Sequence, residues 1–239
     1  MIIVTAATPF ETALLSGQLI RPRPVAIGQS SALKGRLGSV PVVIFPVGVG
    51  KTNAAHGTTL LLEHLRPDLL LLIGCGGAYP RSGLIVGDLA IASEEIFGDE
   101  GVITPRGWRS MEYLKLPLLR KDQQSFYNRF PIDQKIVKRA KKILKGFRAK
   151  TGAFVTVSEV TGTKEKTDEM EKRFRGICEN MEGASVAQLC ILYDIPFLEI
   201  RGISNMVKKR NKREWDLSSA ARISQNAARE IVLHWGKAL

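Results

Sequence analysis

The chain contains little cysteine and little histidine. Three cysteines, Cys75, Cys178 and Cys190, are spread over 239 residues, and the 3 histidines form no pattern with them. An odd number of cysteines at these spacings argues against a disulfide framework and matches no zinc-binding motif. We therefore expect a reducing, cytoplasmic location and no metal ion.

Long apolar runs are also missing. The longest, LLLLIGC, is far shorter than the roughly 20 residues that cross a bilayer, and it predicts a buried strand instead. The first residues, MIIVTAATPF, carry no basic segment ahead of the apolar ones. We therefore expect neither a signal peptide nor a membrane partner.

Acidic residues are few compared with basic ones, at 23 against 35, and the net charge is +12. Such a charge suits a nucleic acid or an anionic small molecule. Most basic residues lie in KRAKKILKGFRAK and KEKTDEMEKRFR, which have the pattern of solvated helix faces, and in KKRNKR. No zinc-finger or RNA-binding aromatic pattern is present, so we expect no nucleic-acid partner.

Linkers, low-complexity tracts and internal repeats are absent as well. The chain is 44% hydrophobic and 24% charged, which is typical of a globular protein. The sequence therefore predicts a single domain over residues 1–239.

The stretch GVGKTNAA, residues 48–55, ends like a phosphate-binding loop. That loop requires a glycine five positions before Gly50, and Phe45 stands there. The preceding run VVIFPV belongs to a strand, which leaves too few residues to wrap a triphosphate. We expect a strand, a tight glycine turn and a helix beginning near Lys51, with Lys51 and Asn53 starting the helix and bracing the core.

Short apolar runs alternate with helical patterns along the chain. The predicted strands are MIIVTA, PVAIG, VPVVIFPV, DLLLLIG, DLAIASEEI, AFVTVS, ICENM and PFLEIRGI. The predicted helices follow Pro9 and cover residues 51–65, 133–147, 164–174, 182–193 and 216–235. This alternation predicts an α/β fold with a mixed, largely parallel central sheet flanked by helices.

Ligands of such sheets bind beyond the carboxyl ends of the strands. The segments that follow the predicted strands are ATPFE, GVGKTN, GCGGAYP, EVTGT, NMEGAS and RGISN. They would bring two carboxylates, an arginine, an asparagine and a glycine-rich turn to one crevice. This convergence indicates a small-molecule site.

The order of these elements resembles the nucleoside phosphorylase/nucleosidase superfamily. The resemblance is carried over nearly the whole chain by ATPFE, GVGKTNAA, GCGGAYP, VGDLAIA, TVSEVTGT, ENMEGASVAQLC and PFLEIRGISN. The further motifs FGDEGV and YNRFPID are similar to the futalosine hydrolases of menaquinone biosynthesis. The implied fold is nucleoside phosphorylase-like, and the implied reaction is hydrolysis of an N-ribosidic bond, which releases hypoxanthine from futalosine.

The resemblance assigns roles to the carboxylates. Glu11 corresponds to the carboxylate that activates water, although a Glu after Pro9 also suits a helix start. Glu182 corresponds to the carboxylate that binds the ribose hydroxyls, and Met181 to an apolar contact with the sugar. Because Glu11 would repel phosphate, water is the expected nucleophile and a phosphorylase is the alternative.

Asn205 corresponds to the residue that reads the purine. Adenine-specific relatives typically carry Asp at this position, and an amide can donate to the O6 of hypoxanthine where a carboxylate cannot. A turn-forming Asn is the structural alternative. Arg201 and Ser204 correspond to supporting residues beside Asn205 and the water.

The remaining candidates are backbone positions. Val160 and Thr161 would run past the purine, and Val160 replaces the Phe of adenosine-type nucleosidases. Gly76 and Gly77 would let the backbone approach the ligand closely. No metal or organic cofactor is implied, and the implied partner is a small purine nucleoside.

Three questions stay open: the oligomeric state, the residue that meets the substrate carboxylate, and the class of function. The resemblance suggests a homo-oligomer, in which residues 104–130 could form a lid or a subunit contact. The benzoate-type carboxylate of futalosine could meet a basic residue among Lys208, Lys209, Arg210, Lys212 and Arg213. A methylthioadenosine/S-adenosylhomocysteine-type nucleosidase and a non-enzymatic anion- or nucleic-acid-binding module are the other readings of function.

Overall fold

The structure is a computed structural model that describes residues 1–208 and 211–237. The strands are β1 (Ile2–Ala6), β2 (Ile20–Ile27), β3 (Ser30–Leu37), β4 (Val40–Pro46), β5 (Leu69–Ala78), β6 (Leu89–Phe97), β7 (Gly101–Thr104), β8 (Gly107–Ser110), β9 (Leu119–Lys121), β10 (Gln124–Phe126), β11 (Arg129–Pro131), β12 (Ala149–Thr156), β13 (Cys178–Asn180) and β14 (Phe197–Met206). The helices are α1 (Ala13–Gly17), α2 (Lys51–His64), α3 (Met111–Leu114), α4 (Gln134–Ile143), α5 (Lys164–Phe174), α6 (Gly183–Leu192) and α7 (Leu217–His234).

The central sheet is mixed and flanked by helices, which confirms the predicted fold class. Strand β1 pairs in parallel with β4 and β5, and β5 pairs in parallel with β14. The hairpin of β2 and β3 continues the sheet beyond β4 in antiparallel fashion. At the opposite end, β11 pairs with β6, also antiparallel.

Part of the sheet closes on itself. Strand β14 pairs with β5 on one side and with β6 on the other, while β6 pairs with β12, β12 with β13 and β13 with β5. These strands therefore form a ring. The last residues of β5 lie between β13 and β14, and this is where the candidate site is built.

The core explains why the apolar runs became central strands. Residues 69–73 of β5, the run LLLLI, are completely buried. A continuous apolar run suits a strand covered on both faces, and here α7 packs on β5 and β14 while α2 packs against α6. Within the described residues, no helix combines the length and the apolarity needed to span a membrane.

Two regions were not predicted from the sequence. Strand β3 was missed, and β2 begins at Ile20 rather than at Pro24, because this hairpin is largely exposed and lacks a clear apolar alternation. Residues 104–130 were expected to form a lid or a subunit contact, and no strand or helix was predicted there, whereas the structure has β7 to β11 and α3 within residues 101–131. These elements have 3 or 4 residues each, too short to leave a periodic signal.

Side chains anchor this 101–131 segment to the sheet and to α5. The amide Nδ2 of Asn128 donates to the carbonyls of Phe97 (2.9 Å) and Glu100 (2.8 Å), and its Oδ1 accepts from Met111 N (2.9 Å). The ring of Trp108 meets that of Phe174 edge to face at 5.6 Å. Asn128, part of the NRFP motif, therefore has a structural function in this chain.

Candidate active site

A cavity of about 480 Å³ opens beside the ends of β5 and β14. All of the candidate site residues from the sequence line it: Glu11, Gly76, Gly77, Val160, Thr161, Met181, Glu182, Arg201, Ser204 and Asn205. The segments that carry them are far apart in the chain and meet because their strands are neighbours in the sheet. The structure thus brings the predicted residues together, and their chemical roles stay predictions.

Glu11 is held in the cavity wall by the turn that follows β1. Pro9 opens a short 3-10 turn, and the carboxylate of Glu11 folds back on its start. Oε2 accepts from the N (3.0 Å) and Oγ1 (2.9 Å) of Thr8, and Oε1 accepts from Cys75 N (2.9 Å). These three hydrogen bonds fix the carboxylate of Glu11 in the cavity wall.

Arg201 lies at the centre of the site and is almost fully buried. Its Nε donates to Glu199 Oε1 (2.8 Å) and its Nη2 to Glu182 Oε2 (3.2 Å). Burial opposes the positive charge, but the carboxylates of Glu199, Glu182 and Glu11 outweigh it and raise the pKa of Arg201 above its usual range. Arg201 therefore remains a permanent cation that fixes Glu182.

Glu182 also joins the site to the GVGKTNAA turn. Its Oε1 accepts from Gly50 N at 2.9 Å, so the free N–H at the start of α2 meets a carboxylate of the chain itself. The turn needs glycine at Gly48, where φ is +98° and a Cβ would lie 2.8 Å from the Cβ of Asn53. Lys51 pairs with Asp99 (2.7 Å) and Glu100 (2.8 Å) of the FGDEGV motif and thereby braces the turn.

Asn205 and Ser204 lie near the end of β14, where the pairing register with β5 shifts. The Oγ of Ser204 donates to Asn205 Oδ1 (2.8 Å) and lies 3.2 Å from the carbonyl of Gly76. Asn205 Nδ2 donates to Met206 O at 3.3 Å. Ser204 therefore helps to orient the amide of Asn205.

The mouth of the cavity is apolar. Val160 is 39% exposed, and Phe10, Val49 and Leu217, which also line the cavity, are exposed to a similar or greater degree. Val160 therefore lies at the rim, whereas Thr161 lies deeper and donates from N (2.9 Å) and Oγ1 (2.6 Å) to Glu179. An apolar rim of this kind suits the non-polar part of a ligand.

Three buried carboxyl groups were missed by the sequence prediction: Glu95, Glu179 and Glu199. The signal was present, since Glu95 in ASEEI and Glu199 in PFLEI stand inside runs predicted as buried strands. Glu95 accepts from Asn180 Nδ2 (2.8 Å) and Thr156 Oγ1 (2.6 Å). No pattern in the sequence indicates that Glu95 and Glu199 face each other.

Glu95 and Glu199 are completely buried and interact directly. Burial, together with the charge of Glu199, raises the pKa of Glu95 well above its usual range. Within the described residues, no hydrogen-bond donor reaches Oε2 of Glu199, and a protonated Glu95 beside it would supply one. Burial raises the pKa of Glu199 as well, but the charge of Arg201 opposes that rise, so Glu95 holds a proton more readily than Glu199 does.

Cys75 lines the cavity next to Glu11, but it is not an activated nucleophile. Burial, followed by the charge of Glu11, raises the pKa of its thiol to about 12. A thiol with this pKa is neutral at pH 7. The backbone of Cys75, and not its thiol, holds the charged groups of the site: Cys75 N donates to Glu11, and Cys75 O accepts from Arg201 Nη1 (3.2 Å).

The basic cluster after Asn205 is only partly described. Lys209 and Arg210 lie outside the described residues. Lys208 pairs with Glu214 at 2.6 Å. Among the described residues that line the cavity, Arg201 alone has a positively charged side chain.

Comparison with known proteins identifies the class. The chain is 32% identical to the 5'-methylthioadenosine/S-adenosylhomocysteine nucleosidase of Geobacillus kaustophilus, over 85% of this chain and 83% of that protein. It is 27% identical to the futalosine hydrolase of Thermus thermophilus, over 100% and 98%. The nucleosidase of Neisseria meningitidis, solved with methylthio-immucillin-A, superimposes with a TM-score of 0.83 at 26% identity, over 97% of both chains.

The fold, the cavity and these relatives define the protein as a nucleosidase, an enzyme that hydrolyses N-glycosidic bonds. Residues 1–234 match the family described as the phosphorylase superfamily, and the chain belongs to it. A nucleoside as a small-molecule substrate agrees with this class.

Proposed function

We propose that the enzyme hydrolyses the N-ribosidic bond of futalosine and releases hypoxanthine for menaquinone biosynthesis. The observation that carries the proposal is the amide of Asn205 in the cavity. Its NH₂ can donate to O6 of hypoxanthine while its carbonyl accepts from a protonated N7. A carboxylate here would face O6 acceptor to acceptor, which is costly in a buried site.

The proposed mechanism uses water and no cofactor. Glu11 takes a proton from the attacking water, whose oxygen bonds to the anomeric carbon as the bond to the base breaks. A second water protonates N7 of the departing base, because the amide of Asn205 cannot deliver a proton. Glu182 accepts hydrogen bonds from the ribose hydroxyls as the sugar develops oxocarbenium character. Arg201 fixes Glu182 through the 3.2 Å contact, and Met181 packs on the sugar. The negative charge of Glu11 disfavours phosphate as the nucleophile.

A second candidate is a 5'-methylthioadenosine/S-adenosylhomocysteine nucleosidase. It is supported by the 32% identity to the Geobacillus enzyme, which exceeds the identity to the Thermus futalosine hydrolase. The apolar rim accepts an alkylthio group as readily as an aryl group. In addition, no described cavity residue other than Arg201 could pair with the carboxylate of futalosine.

We further propose that the enzyme works as a homo-oligomer. The 101–131 segment exposes Ile103, Tyr113 and Leu116, of which Ile103 is 85% exposed. Apolar side chains exposed together on one segment are typical of an interface with another chain. The family resemblance suggests that a second copy covers them.

Product analysis tests the proposal. Futalosine, inosine and methylthioadenosine are each incubated with the enzyme, with and without phosphate, and the released base is identified. Hypoxanthine from futalosine, without phosphate and with little release from the others, is the expected result. Preferred release of adenine from methylthioadenosine would replace the proposal by the second candidate, and a requirement for phosphate would indicate a phosphorylase.

A further inference from the structure

Glu179 is a cavity carboxylate that the proposed mechanism does not use. We infer that Glu179 determines base specificity by accepting a hydrogen bond from N1–H of a 6-oxopurine, at the edge of the ring away from Asn205. This inference rests on the proposed release of hypoxanthine. It adds a second contact that would select the base.

The strand register places Glu179 and Asn205 on opposite sides of one glycine. On β13, Glu179 is the partner of Gly77, and on β14, Asn205 is the partner of the same Gly77. Because neighbouring strands lie about 4.8 Å apart, the two backbones are about 10 Å apart. This separation leaves room for a flat ring with a hydrogen bond at each edge.

Gly77 lies directly against the side chains of Val207 and Asn205. A Cβ at Gly77 would lie 2.8 Å from Val207 Cγ2 and 3.2 Å from Asn205 Nδ2. Any larger residue would displace the amide of Asn205. Because paired residues of neighbouring strands point to the same face of a sheet, the glycine lets Asn205 keep its place on the face that it shares with Glu179.

The surroundings of Glu179 hold it as a hydrogen-bond acceptor. Oε1 accepts from Thr161 N (2.9 Å), and Oε2 accepts from Thr161 Oγ1 (2.6 Å) and from the hydroxyl of Tyr79 (2.9 Å). Burial raises the pKa of Glu179, but these hydrogen bonds oppose the rise by favouring the ionised form. A carboxylate has about four acceptor sites, so one site remains, on Oε1, and it is available only to a donor.

The two bases differ at this edge. Hypoxanthine carries a hydrogen on N1 and donates, whereas adenine has a lone pair on N1 and accepts. Adenine would therefore meet a carboxylate where it requires a donor, and the N–H of Thr161 is already bound to Glu179. Glu179 and Asn205 consequently both favour hypoxanthine over adenine.

The test uses Glu179→Gln and a matched pair of substrates, futalosine and its 6-amino counterpart. The glutamine has nearly the same shape, but its NH₂ can donate to N1 of adenine. The ratio of kcat/KM for the 6-oxo over the 6-amino substrate should fall about 10- to 100-fold, as expected for one mispaired buried group. The control Glu165→Gln makes the same chemical change on α5, outside the cavity lining, so its ratio should stay within about twofold of wild type.

The outcomes separate this inference from the proposed function. If wild type shows no preference for the 6-oxo substrate, the proposed function fails, and the inference fails with it. If wild type prefers the 6-oxo substrate but Glu179→Gln slows both substrates equally, Glu179 only supports the Thr161 loop and the inference is overturned.

A measurement on the wild-type enzyme decides the matter if the variant does not fold. Hypoxanthine labelled with ¹⁵N at N1 is bound to the enzyme, and the proton on N1 is observed by NMR. A resonance well downfield of free hypoxanthine is expected for donation to a carboxylate. A resonance at the position of the free base would contradict the inference.

Discussion

At the scale of single residues, Asn205 carries the choice between the two proposed substrates. Replacing its amide by a carboxylate in Asn205→Asp removes the donor to O6 and supplies an acceptor for a 6-amino group. We expect the ratio of kcat/KM for the 6-oxo over the 6-amino nucleoside to fall about 10- to 100-fold. The measurement is steady-state kinetics on the matched pair of substrates.

The control for Asn205→Asp makes the same chemical change elsewhere. Asn226 lies on α7 and does not line the cavity, so Asn226→Asp should leave the ratio unchanged. An unchanged ratio in Asn205→Asp itself would remove Asn205 from base recognition.

Glu11 supports the second prediction at this scale. Glu11→Gln keeps the shape and the contact with Cys75 N but loses the base for water. We expect kcat to fall about 10²- to 10⁴-fold, while the Kd for the purine product changes little. Turnover close to that of wild type, measured by release of the base, would show that another group activates the water.

The residues of the site were predictable to different degrees. Glu11, Glu182 and Asn205 follow predicted strands, where a ligand of an α/β sheet binds, so their position made them candidates and the family resemblance gave them roles. Glu95, Glu179 and Glu199 lie within strands, and only the closure of the sheet brings them against the site. A sequence pattern carries no information on such pairings between distant strands.

At the scale of elements, Glu95 and Glu199 connect β6 and β14 behind the site. The folded protein keeps a proton on Glu95 that the unfolded chain loses near its ordinary pKa. The contribution of Glu95 to the free energy of unfolding is therefore fully present at acid pH. It decreases as the pH rises from the ordinary pKa of a glutamate toward the raised pKa of Glu95 in the folded protein. The decrease is at most about 1.4 kcal/mol per pH unit.

The matching experiment compares wild type with Glu95→Gln, which has a permanent donor for Glu199. Urea unfolding is followed between about pH 5 and pH 8. The stability of wild type should fall relative to that of the variant as the pH rises. Parallel curves would mean that Glu95 is ionised in the folded protein and that the orphaned oxygen of Glu199 has another explanation.

The elements themselves were predictable where burial produced a periodic or continuous apolar pattern. Strand β5 and helix α2 came from such patterns, and α2 has nearly the predicted bounds. Strand β5 continues to Ala78, so it includes Gly76 and Gly77, which were expected to follow it. Strand β3 and the 101–131 segment depend on pairing and on single contacts such as those of Asn128. Contacts between distant parts of the chain override local preference there.

At the scale of the whole molecule, the exposed side chains of the 101–131 segment predict self-association. The double variant Ile103→Asp/Leu116→Asp places two charges where two apolar side chains are exposed. Its molar mass, measured by light scattering, should fall to that of one chain, 26.3 kDa. Ile20→Asp is the control, because β2 lies at the opposite end of the sheet from β11. A wild-type molar mass of 26.3 kDa would contradict the oligomer outright.

We propose that the cavity is built for a 6-oxopurine nucleoside. The most direct test is the kcat/KM of the unaltered enzyme for futalosine against its 6-amino counterpart, since the two substrates differ only where Asn205 and Glu179 would act. We expect a preference for futalosine of about tenfold or more. A preference for the 6-amino substrate would contradict it and assign the enzyme to the adenine-releasing nucleosidases.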